Sequence, residues 1–161
     1  MARLTHSTRF VADAMLGRLA RWLRVIGADT LQLPIEAPDI DLVVRAAAED
    51  RVLLTRDRHL LRELRLARAW AVRSETPLVQ LVEVVNEFDL RPPPELLTRC
   101  LLCNSPLTHI PPSQAWPELP PSAHDLGGPV RRCPSCGRLY WRGSHVRRIE
   151  AALAAALPGW C

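Results

Sequence analysis

The first ninety residues alternate between short apolar runs and longer amphipathic stretches. The apolar runs lie at about residues 9–13, 29–33, 52–55 and 69–73. Each run is long enough for a buried strand and too short for a helix, and the stretches between them have apolar residues at helical spacing. Strand and helix therefore alternate four times, which is typical of a parallel sheet with helices on both faces.

The predicted helix over residues 14–26 separates an apolar face from an arginine face. Its apolar positions recur at i, i+3, i+4 and i+7, and they are Leu16, Leu19, Ala20, Leu23 and Ile26. At about 100° per residue, Arg18, Arg21 and Arg24 lie on the opposite side. Such an arginine stripe is either a solvated face or a contact surface for phosphate groups.

Three further helices follow the second, third and fourth strands. The first of them covers residues 39–49, with Asp39 as its expected N-cap, and the next is short and ends near Leu66. Thr76 and Pro77 are the expected N-cap and N1 residues of the last. The expected buried positions are Ile40, Val43, Val44 and Ala47 after the second strand, and Leu78, Leu81, Val82 and Val85 after the fourth.

The composition changes at residues 91–94, where three consecutive prolines predict a stiff extended linker. Prolines then recur and helical periodicity disappears. It returns only over residues 146–157, where Ile149, Leu153 and Leu157 predict a C-terminal helix. The sequence thus predicts a domain over residues 1–91 and a smaller unit over residues 92–161.

Four of the five cysteines form two Cys-x-x-Cys pairs, Cys100 with Cys103 and Cys133 with Cys136. Two such pairs supply the four ligands of a tetrahedral zinc site. They stand farther apart than in most zinc ribbons because a proline-rich insert separates them. Four cysteine ligands leave no open coordination position, so the predicted Zn²⁺ is structural and not catalytic.

Two aspartates directly follow predicted strands, Asp13 after the first and Asp57 after the third. Ligands of parallel sheets bind at the carboxyl ends of the strands, so one acidic pocket is expected there. A third carboxylate comes from Asp39 or Asp41. Carboxylates gathered without basic partners repel one another unless a cation lies between them, and oxygen ligands suit Mg²⁺ or Mn²⁺. Such an ion activates water and stabilises charge on a phosphodiester.

The same arrangement of acids occurs in phospho-acceptor receiver domains. Those proteins resemble the predicted fold, but they depend on a lysine near the acids. The present chain contains no lysine, although its formal net charge is +4 and its pI is about 9.1. The sequence therefore favours a metal-dependent phosphoryl site over a receiver domain.

Residues 140–145 (YWRGSH) place two aromatic residues among basic ones, just after the second cysteine pair. Aromatic rings among arginines stack bases and hold phosphates in single-strand binding proteins. The competing interpretation is that Tyr140 and Trp141 pack the C-terminal unit against the sheet domain, and the two roles are compatible.

No segment approaches the roughly 20 apolar residues of a membrane span. Arginines interrupt the apolar positions near the N-terminus, which argues against a signal peptide. Paired cysteines at metal-site spacing fit a reducing compartment better than a disulfide framework. We therefore expect a cytoplasmic protein without a membrane partner.

Several blocks of this sequence together resemble the Mut-seven C-terminal ribonuclease domains, which belong to the PIN-like nuclease superfamily. The blocks are residues 10–24 (FVADAMLGRLARWLR), 53–57 (LLTRD), 99–104 (RCLLCN), 133–137 (CPSCG) and 140–145 (YWRGSH). The resemblance covers residues 9–148. It implies an α/β fold, a PIN-like three-layer α/β/α domain with a mostly parallel sheet, followed by a small C-terminal zinc ribbon with four cysteine ligands.

The resemblance also implies divalent-metal-dependent cleavage of RNA. Asp13 and Asp57 match family acids, and Asp39 matches the acid at the start of the second helix, with Asp41 as the alternative. PIN-type sites often have a fourth acid, for which Glu75 and Glu83 are the candidates.

The sequence therefore predicts an RNA endonuclease in which Asp13, Asp39 and Asp57 hold Mg²⁺ or Mn²⁺. The expected RNA contacts are Arg18, Arg21, Arg56, Arg58, Trp141 and His145. The alternative hypothesis is a non-catalytic RNA- or ribosome-binding module in which the zinc ribbon binds and the acids are relics. A toxin-like nuclease controlled by a protein partner is a third hypothesis.

Overall fold

Four parallel strands form the main sheet of the computed structural model, which describes residues 8–64 and 68–161. The strands are β1 (Phe10–Ala12), β2 (Thr30–Gln32), β3 (Val52–Thr55) and β4 (Ala69–Ala71). Their order is β2-β1-β3-β4, with Phe10 paired to both Thr30 and Val52. The chain runs from β1 to β2 on one side and then crosses to β3 on the other, so the strand order reverses between β1 and β3.

Within the described ranges, six α-helices follow the strands. They are α1 (Gly17–Val25), α2 (Asp39–Ala48), α3 (Arg58–Leu64), α4 (Pro77–Glu87), α5 (Pro112–Ala115) and α6 (Ser144–Ala156). A 3-10 turn, Ala14–Leu16, precedes α1 where the sequence predicts regular helix. The four predicted strand–helix units and the C-terminal helix are confirmed, whereas the predicted helix end near Leu66 lies outside the described residues.

The two faces of the main sheet contribute to different cores. Phe10 and Ala12 of β1 belong to a large core with α1, α4 and α6, and Val11 between them belongs to a smaller core with α2 and α3. This division follows from the alternation of side chains along a strand. Helices therefore cover both faces, as the sequence predicts.

The predicted buried stripe of α2 is wrong. Leu42 and Ala46 are buried against the sheet, whereas Ile40 and Val44 are 54% and 58% exposed. Val43 is half-buried and Ala47 is exposed. Because α2 has apolar residues on two sides, periodicity alone does not distinguish the side that meets the sheet from the side that meets solvent.

The predicted N-cap residue is right for α4 and wrong for α2. Thr76 is the N-cap of α4 and Pro77 is its first residue, as predicted. In α2 the N-cap is Pro38, and Asp39 is the first helical residue and makes no capping hydrogen bond. The predicted capping role of Asp39 is therefore wrong, and its exposed carboxylate is available for another contact.

Arg24 is buried, with only 3% of its surface exposed. Its guanidinium donates hydrogen bonds to the carbonyl oxygens of Thr30 (2.9 Å), Leu101 (2.8 Å) and Leu102 (3.1 Å). Burial lowers the pKa of Arg24, and three carbonyls offset the loss of water around it. The prediction that Arg24 shares the solvent-facing side of α1 with the other two arginines is wrong, because it fastens α1 to the first cysteine turn.

The C-terminal part forms a second, antiparallel sheet. Its strands are β5 (Thr108–Ile110), β6 (Val130–Arg132) and β7 (Leu139–Tyr140), in the order β5-β6-β7. Leu97 and Leu101, together with Leu153 and Leu157 at the end of the chain, belong to the same large core as β1. Residues on both sides of position 92 thus share one core, and the domain boundary there stays a prediction.

The proline-rich insert has a small core of its own, which sequence periodicity does not reveal. Ala115, Leu119 and Ala123 from short helical turns pack on Val130 of β6. None of the helices in the described ranges has the length and apolar character needed to cross a membrane.

Candidate functional site

The four cysteines of the two predicted pairs lie together. The Sγ atoms of Cys100, Cys103, Cys133 and Cys136 are all within 4.8 Å of one another. Cys100 and Cys136 are 3.6 Å apart, and Cys103 and Cys133 are 3.4 Å apart. Four thiolates bound to zinc at about 2.3 Å stand roughly 3.8 Å apart in a tetrahedron. The cluster therefore fits a metal ion such as zinc.

Both cysteine pairs form the same tight turn. The amide of Asn104 donates to the Cys100 carbonyl at 3.0 Å, and the amide of Gly137 donates to the Cys133 carbonyl at 2.9 Å. The two residues that follow the pairs have φ angles of 69° and 76°. Glycine and asparagine adopt this left-handed conformation most readily, which explains their presence after each pair.

Tyr140 contacts the cysteine cluster directly. Its hydroxyl lies 3.2 Å from the Sγ of Cys100 and accepts a hydrogen bond of 2.9 Å from the amide of Leu101. Burial alone would raise the pKa of Cys100, but hydrogen bonds from Tyr140 and from the amides of Cys103 and Leu102 lower it to about 6. Burial and donation to Cys100 raise the pKa of Tyr140, which keeps its hydroxyl protonated as a donor.

Without a cation the cluster does not favour four thiolates. The Arg138 amide acts to lower the pKa of Cys136, but the neighbouring thiols of Cys133, Cys100 and Cys103 raise it to about 11. Like charges at this separation disfavour further ionisation. A divalent ion is the natural counter-charge for such a set of ligands.

The first cysteine turn is joined to the main sheet through Asp29. Its Oδ1 accepts hydrogen bonds of 2.7 Å from Asn104 and 2.7 Å from Arg51, and its Oδ2 lies 3.6 Å from Arg99. Burial acts to raise the pKa of Asp29, but the hydrogen bonds from Arg51 and Asn104 outweigh it and lower the pKa. The cysteine cluster is therefore fixed relative to the strands.

A cavity of about 130 Å³ lies at the carboxyl edge of the main sheet, and Asp13, Asp39 and Asp57 all line it. Asp13 follows β1, Asp57 follows β3 and Asp39 begins α2. The cavity thus lies where the strand order reverses, which is the usual ligand position in open α/β sheets. Asp41 is exposed and does not line this cavity.

Asp13 is the most enclosed of the three aspartates, with 8% of its surface exposed. Its Oδ1 accepts a hydrogen bond of 2.9 Å from the amide of Met15. Its Oδ2 accepts hydrogen bonds from the hydroxyl of Thr55 and, at 3.3 Å, from the amide of Arg56. The carboxylate of Asp13 is therefore held in one orientation at the wall of the cavity.

Asp57 is exposed and caps α3. Its Oδ1 accepts hydrogen bonds from the amides of His59 (2.8 Å) and Leu60 (3.1 Å). These hydrogen bonds lower the pKa of Asp57, with that from Leu60 contributing most. The carboxylate therefore remains ionised at lower pH than an ordinary aspartate.

Thr55 connects the two strand-end acids, and sequence reasoning did not assign it this role. Its hydroxyl donates to Asp13 and accepts a hydrogen bond of 2.9 Å from the amide of Asp57. The sequence signal was a hydroxyl residue at the last position of a buried strand, two residues before an acid. Pairing of β1 and β3 then brings this residue to Asp13.

The three aspartates form an open arrangement. In the part of the chain that the structure describes, the cysteine cluster is the one group of three or more possible metal ligands whose atoms all lie within 4.8 Å. Mg²⁺ usually keeps several water molecules and takes only one or two carboxylates directly. The three aspartates therefore line one cavity without forming a tight group of ligand atoms.

Neither candidate for a fourth acid lines the acid cavity. Glu83 accepts hydrogen bonds from the amides of Arg73 (2.9 Å) and Ser74 (3.1 Å), so it closes the turn between β4 and α4. Burial acts to raise the pKa of Glu83, and these hydrogen bonds lower it overall. Glu75 is 88% exposed and lies 3.6 Å from Arg56.

The predicted RNA contacts fall into two groups. Arg56 and Arg58 lie beside Asp57, at the turn into α3. The others line two further cavities: Arg18, Arg21 and His145 line one of 270 Å³, and Arg21, Trp141 and His145 line one of 680 Å³. The structure therefore separates the acids from most of the predicted RNA-binding residues.

The family model described as the Mut7-C RNAse domain matches residues 8–153, which include the acid cavity and all four clustered cysteines. No curated protein and no solved structure matches the chain. The match covers nearly the whole chain. This protein therefore belongs to the Mut7-C RNAse domain family.

Proposed function

We propose that this protein is a divalent-metal-dependent ribonuclease that cleaves RNA internally at the acid cavity. The observation that carries the proposal is that Asp13, Asp39 and Asp57, from three separate elements, line one cavity at the carboxyl edge of the sheet. Family membership supports a ribonuclease-type function.

In this proposal the three aspartates have different roles. The exposed carboxylates of Asp39 and Asp57 offer oxygen atoms to hydrated Mg²⁺ or Mn²⁺, and Asp13 supplies a fixed carboxylate at the cavity wall. A bound ion would lower the pKa of a water molecule and would stabilise charge on the phosphodiester. Thr55 links the carboxylate of Asp13 to the backbone amide of Asp57 through its two hydrogen bonds.

Arg56 and Arg58 are the proposed contacts to the scissile phosphate. Arg56 faces Glu75 at 3.6 Å, and Glu75 is 88% exposed. Exposed ion pairs of this kind contribute little free energy, so Arg56 can exchange its carboxylate partner for a phosphate at small cost. Guanidinium groups suit phosphate because they donate two parallel hydrogen bonds.

We also propose that the cysteine cluster binds Zn²⁺ in a structural role, because four cysteine ligands leave no position for substrate. The thiols require a reducing compartment to stay available for metal. We therefore place the ribonuclease in the cytoplasm.

The test is cleavage of a mixed pool of labelled single-stranded and structured RNAs by the zinc-loaded protein, with and without Mn²⁺. Wild-type protein should cleave only with Mn²⁺, and both the Asp13→Asn/Asp57→Asn variant and Asp39→Asn should lose cleavage. Asp41→Asn is the matched control, since Asp41 lies in the same helical turn but outside the cavity, and it should cleave like wild type.

Two results would contradict the proposal. One is a wild-type protein that neither cleaves RNA nor binds Mn²⁺ at the acid cavity. The other is equal cleavage by Asp39→Asn and Asp41→Asn, which would remove Asp39 from the site.

The open spacing of the aspartates favours a second candidate, a non-catalytic RNA- or ribosome-binding module. In that case the acids only stabilise the fold, through hydrogen bonds such as those that Asp13 and Asp57 accept from backbone amides. Trp141→Ala would then weaken RNA binding, Asp57→Asn would leave binding unchanged, and no variant or metal would produce cleavage.

A further inference from the structure

Two cavities adjoin on the side of α1 that faces the C-terminal part. They measure 680 and 270 Å³ and share Arg21, Leu101, His145 and Ile149. We call them together the basic cleft. Ligand sites commonly enclose about 300–1,000 Å³, so the larger cavity alone has room for a nucleotide-sized group.

The basic cleft has positive charge that no carboxylate of the described residues balances. Its arginines are Arg18, Arg21, Arg138 and Arg147. Among the residues that the structure describes, none of the four has a carboxylate within 4.0 Å. Glu118, the one acid among the described lining residues, is already paired with Arg132 at 2.5 Å. The cleft therefore suits an anionic ligand.

Three aromatic residues also line the basic cleft. Half-buried Tyr140 and Trp141 line the larger cavity, and half-buried Trp22 lines the smaller one beside Leu101. Cationic and aromatic side chains that line one cleft match the phosphates and bases of a single nucleic-acid strand. A duplex hides the flat faces of its bases, and an acidic peptide lacks flat rings at a regular spacing.

The basic cleft and the acid cavity are connected by α1. Asp13 directly precedes the turn Ala14–Leu16, and Arg18 and Arg21 lie on the first two turns of α1. The eight residues from Asp13 to Arg21 include that 3-10 turn and about one turn of α1, so they span at most about 14 Å along the chain. A chain of a few nucleotides is long enough to contact both places.

From these observations we propose that the basic cleft binds an unpaired RNA segment adjacent to the bond that is cleaved at the acid cavity. This inference rests on the proposed ribonuclease function and deepens it. It assigns single-stranded RNA as the substrate class, and it assigns Arg21 and Arg147 as phosphate contacts outside the catalytic cavity.

The test measures binding without cleavage. Fluorescence anisotropy would follow a short labelled single-stranded RNA and zinc-loaded protein with no Mg²⁺ or Mn²⁺ added. Arg21→Ala/Arg147→Ala should raise the Kd at least about tenfold, and it should reduce the slope of log Kd against log salt by about one to two, since each phosphate contact to a single strand contributes about 0.7.

The matched control is Arg45→Ala/Arg148→Ala, which removes the same number of charges from α2 and α6 at positions outside the cleft. It should keep the Kd within about twofold of wild type. Equal weakening by both double variants would overturn the proposal, as would binding of an RNA duplex or an acidic peptide as tightly as the single strand.

A catalytic variant separates this proposal from the proposed function. Asp13→Asn/Asp57→Asn should still bind the single strand without cleaving it, because neither aspartate lines the basic cleft. If wild-type protein binds the single strand selectively but never cleaves RNA, the ribonuclease proposal is contradicted and the proposed binding role of the basic cleft is supported. If wild-type protein cleaves RNA but Arg21→Ala/Arg147→Ala and Arg45→Ala/Arg148→Ala bind RNA equally well, only the proposed binding role of the basic cleft is contradicted.

Discussion

The side-chain amide of Asn104 donates a hydrogen bond of 2.7 Å to the carboxylate of Asp29, across 75 residues of sequence. The carbonyl oxygen of the same side chain accepts a hydrogen bond of 3.0 Å from the backbone amide of Thr30. The residue that closes the first cysteine turn is thereby bound to the start of β2. The cysteine cluster and the main sheet are therefore joined by hydrogen bonds, and this has consequences for stability.

Removing the Asn104 side chain should destabilise the whole protein. Asn104→Gly keeps the left-handed backbone conformation but leaves the buried Thr30 amide without its acceptor, which costs about 2 kcal/mol of unfolding free energy. Urea denaturation measures this loss. Asn86→Ala, at an exposed position of α4, is the control and should change stability by less than about 0.5 kcal/mol. Equal stability of Asn104→Gly and wild type would contradict the link.

The charge of Asp29 should make stability depend on pH. Its folded pKa is lowered, so its contribution is fully present above the unfolded value of about 3.9 and is lost as pH falls through the folded pKa. The difference in unfolding free energy between wild type and Asp29→Asn should be constant above about pH 5 and shrink below about pH 4.

Urea denaturation at a series of pH values measures that difference, and any zinc loss common to both proteins cancels in it. Asp125→Asn is a suitable control because Asp125 is exposed, and among the described residues it has no ion pair. A difference for Asp29→Asn that grows on acidification would contradict a lowered folded pKa for Asp29.

Tyr140→Phe should weaken metal binding. The substitution removes the hydroxyl that lies 3.2 Å from the Sγ of Cys100 and leaves the ring in place. Loss of a hydrogen bond to a ligand atom typically reduces metal affinity about 10–100-fold. Competition with a zinc chelator measures the affinity, and unchanged zinc retention would mean that Tyr140 does not act on the cysteine cluster.

Metal in the cysteine cluster should also stabilise the main sheet. Leu97 and Leu101 beside the first cysteine pair share one core with β1 and α1. Chelation should therefore lower the melting temperature in a single transition that circular dichroism and tryptophan fluorescence report together. A second, unchanged transition would instead support an independent domain over residues 1–91.

Local pattern alone determined the order of the strands and helices in the first ninety residues. Short apolar runs lie before Asp13 and Asp57, and apolar residues at helical spacing follow them. Strands and helices produce these patterns because each buries one face, so the sequence predicts the four strand–helix units. The cysteine spacing was equally direct, because two tight turns and four soft ligands are a local chemical requirement.

Tertiary contacts decided what local pattern left open. Arg24 has the spacing of a solvent-facing residue, but the carbonyls of Leu101 and Leu102, brought near by folding, make burial favourable. In the same way, packing on Val11 and Leu53 selected Leu42 and Ala46 as the inner face of α2.

The position of the acids was likewise a matter of three-dimensional arrangement. Periodicity does not separate Asp39 from Asp41, and only the placement of α2 against the sheet edge brings Asp39 to the cavity. The basic cleft combines Arg21 of α1 with Arg147 of α6, which are far apart in sequence. Spacing along the chain carries no information about such pairs, because the packing of the core sets their separation.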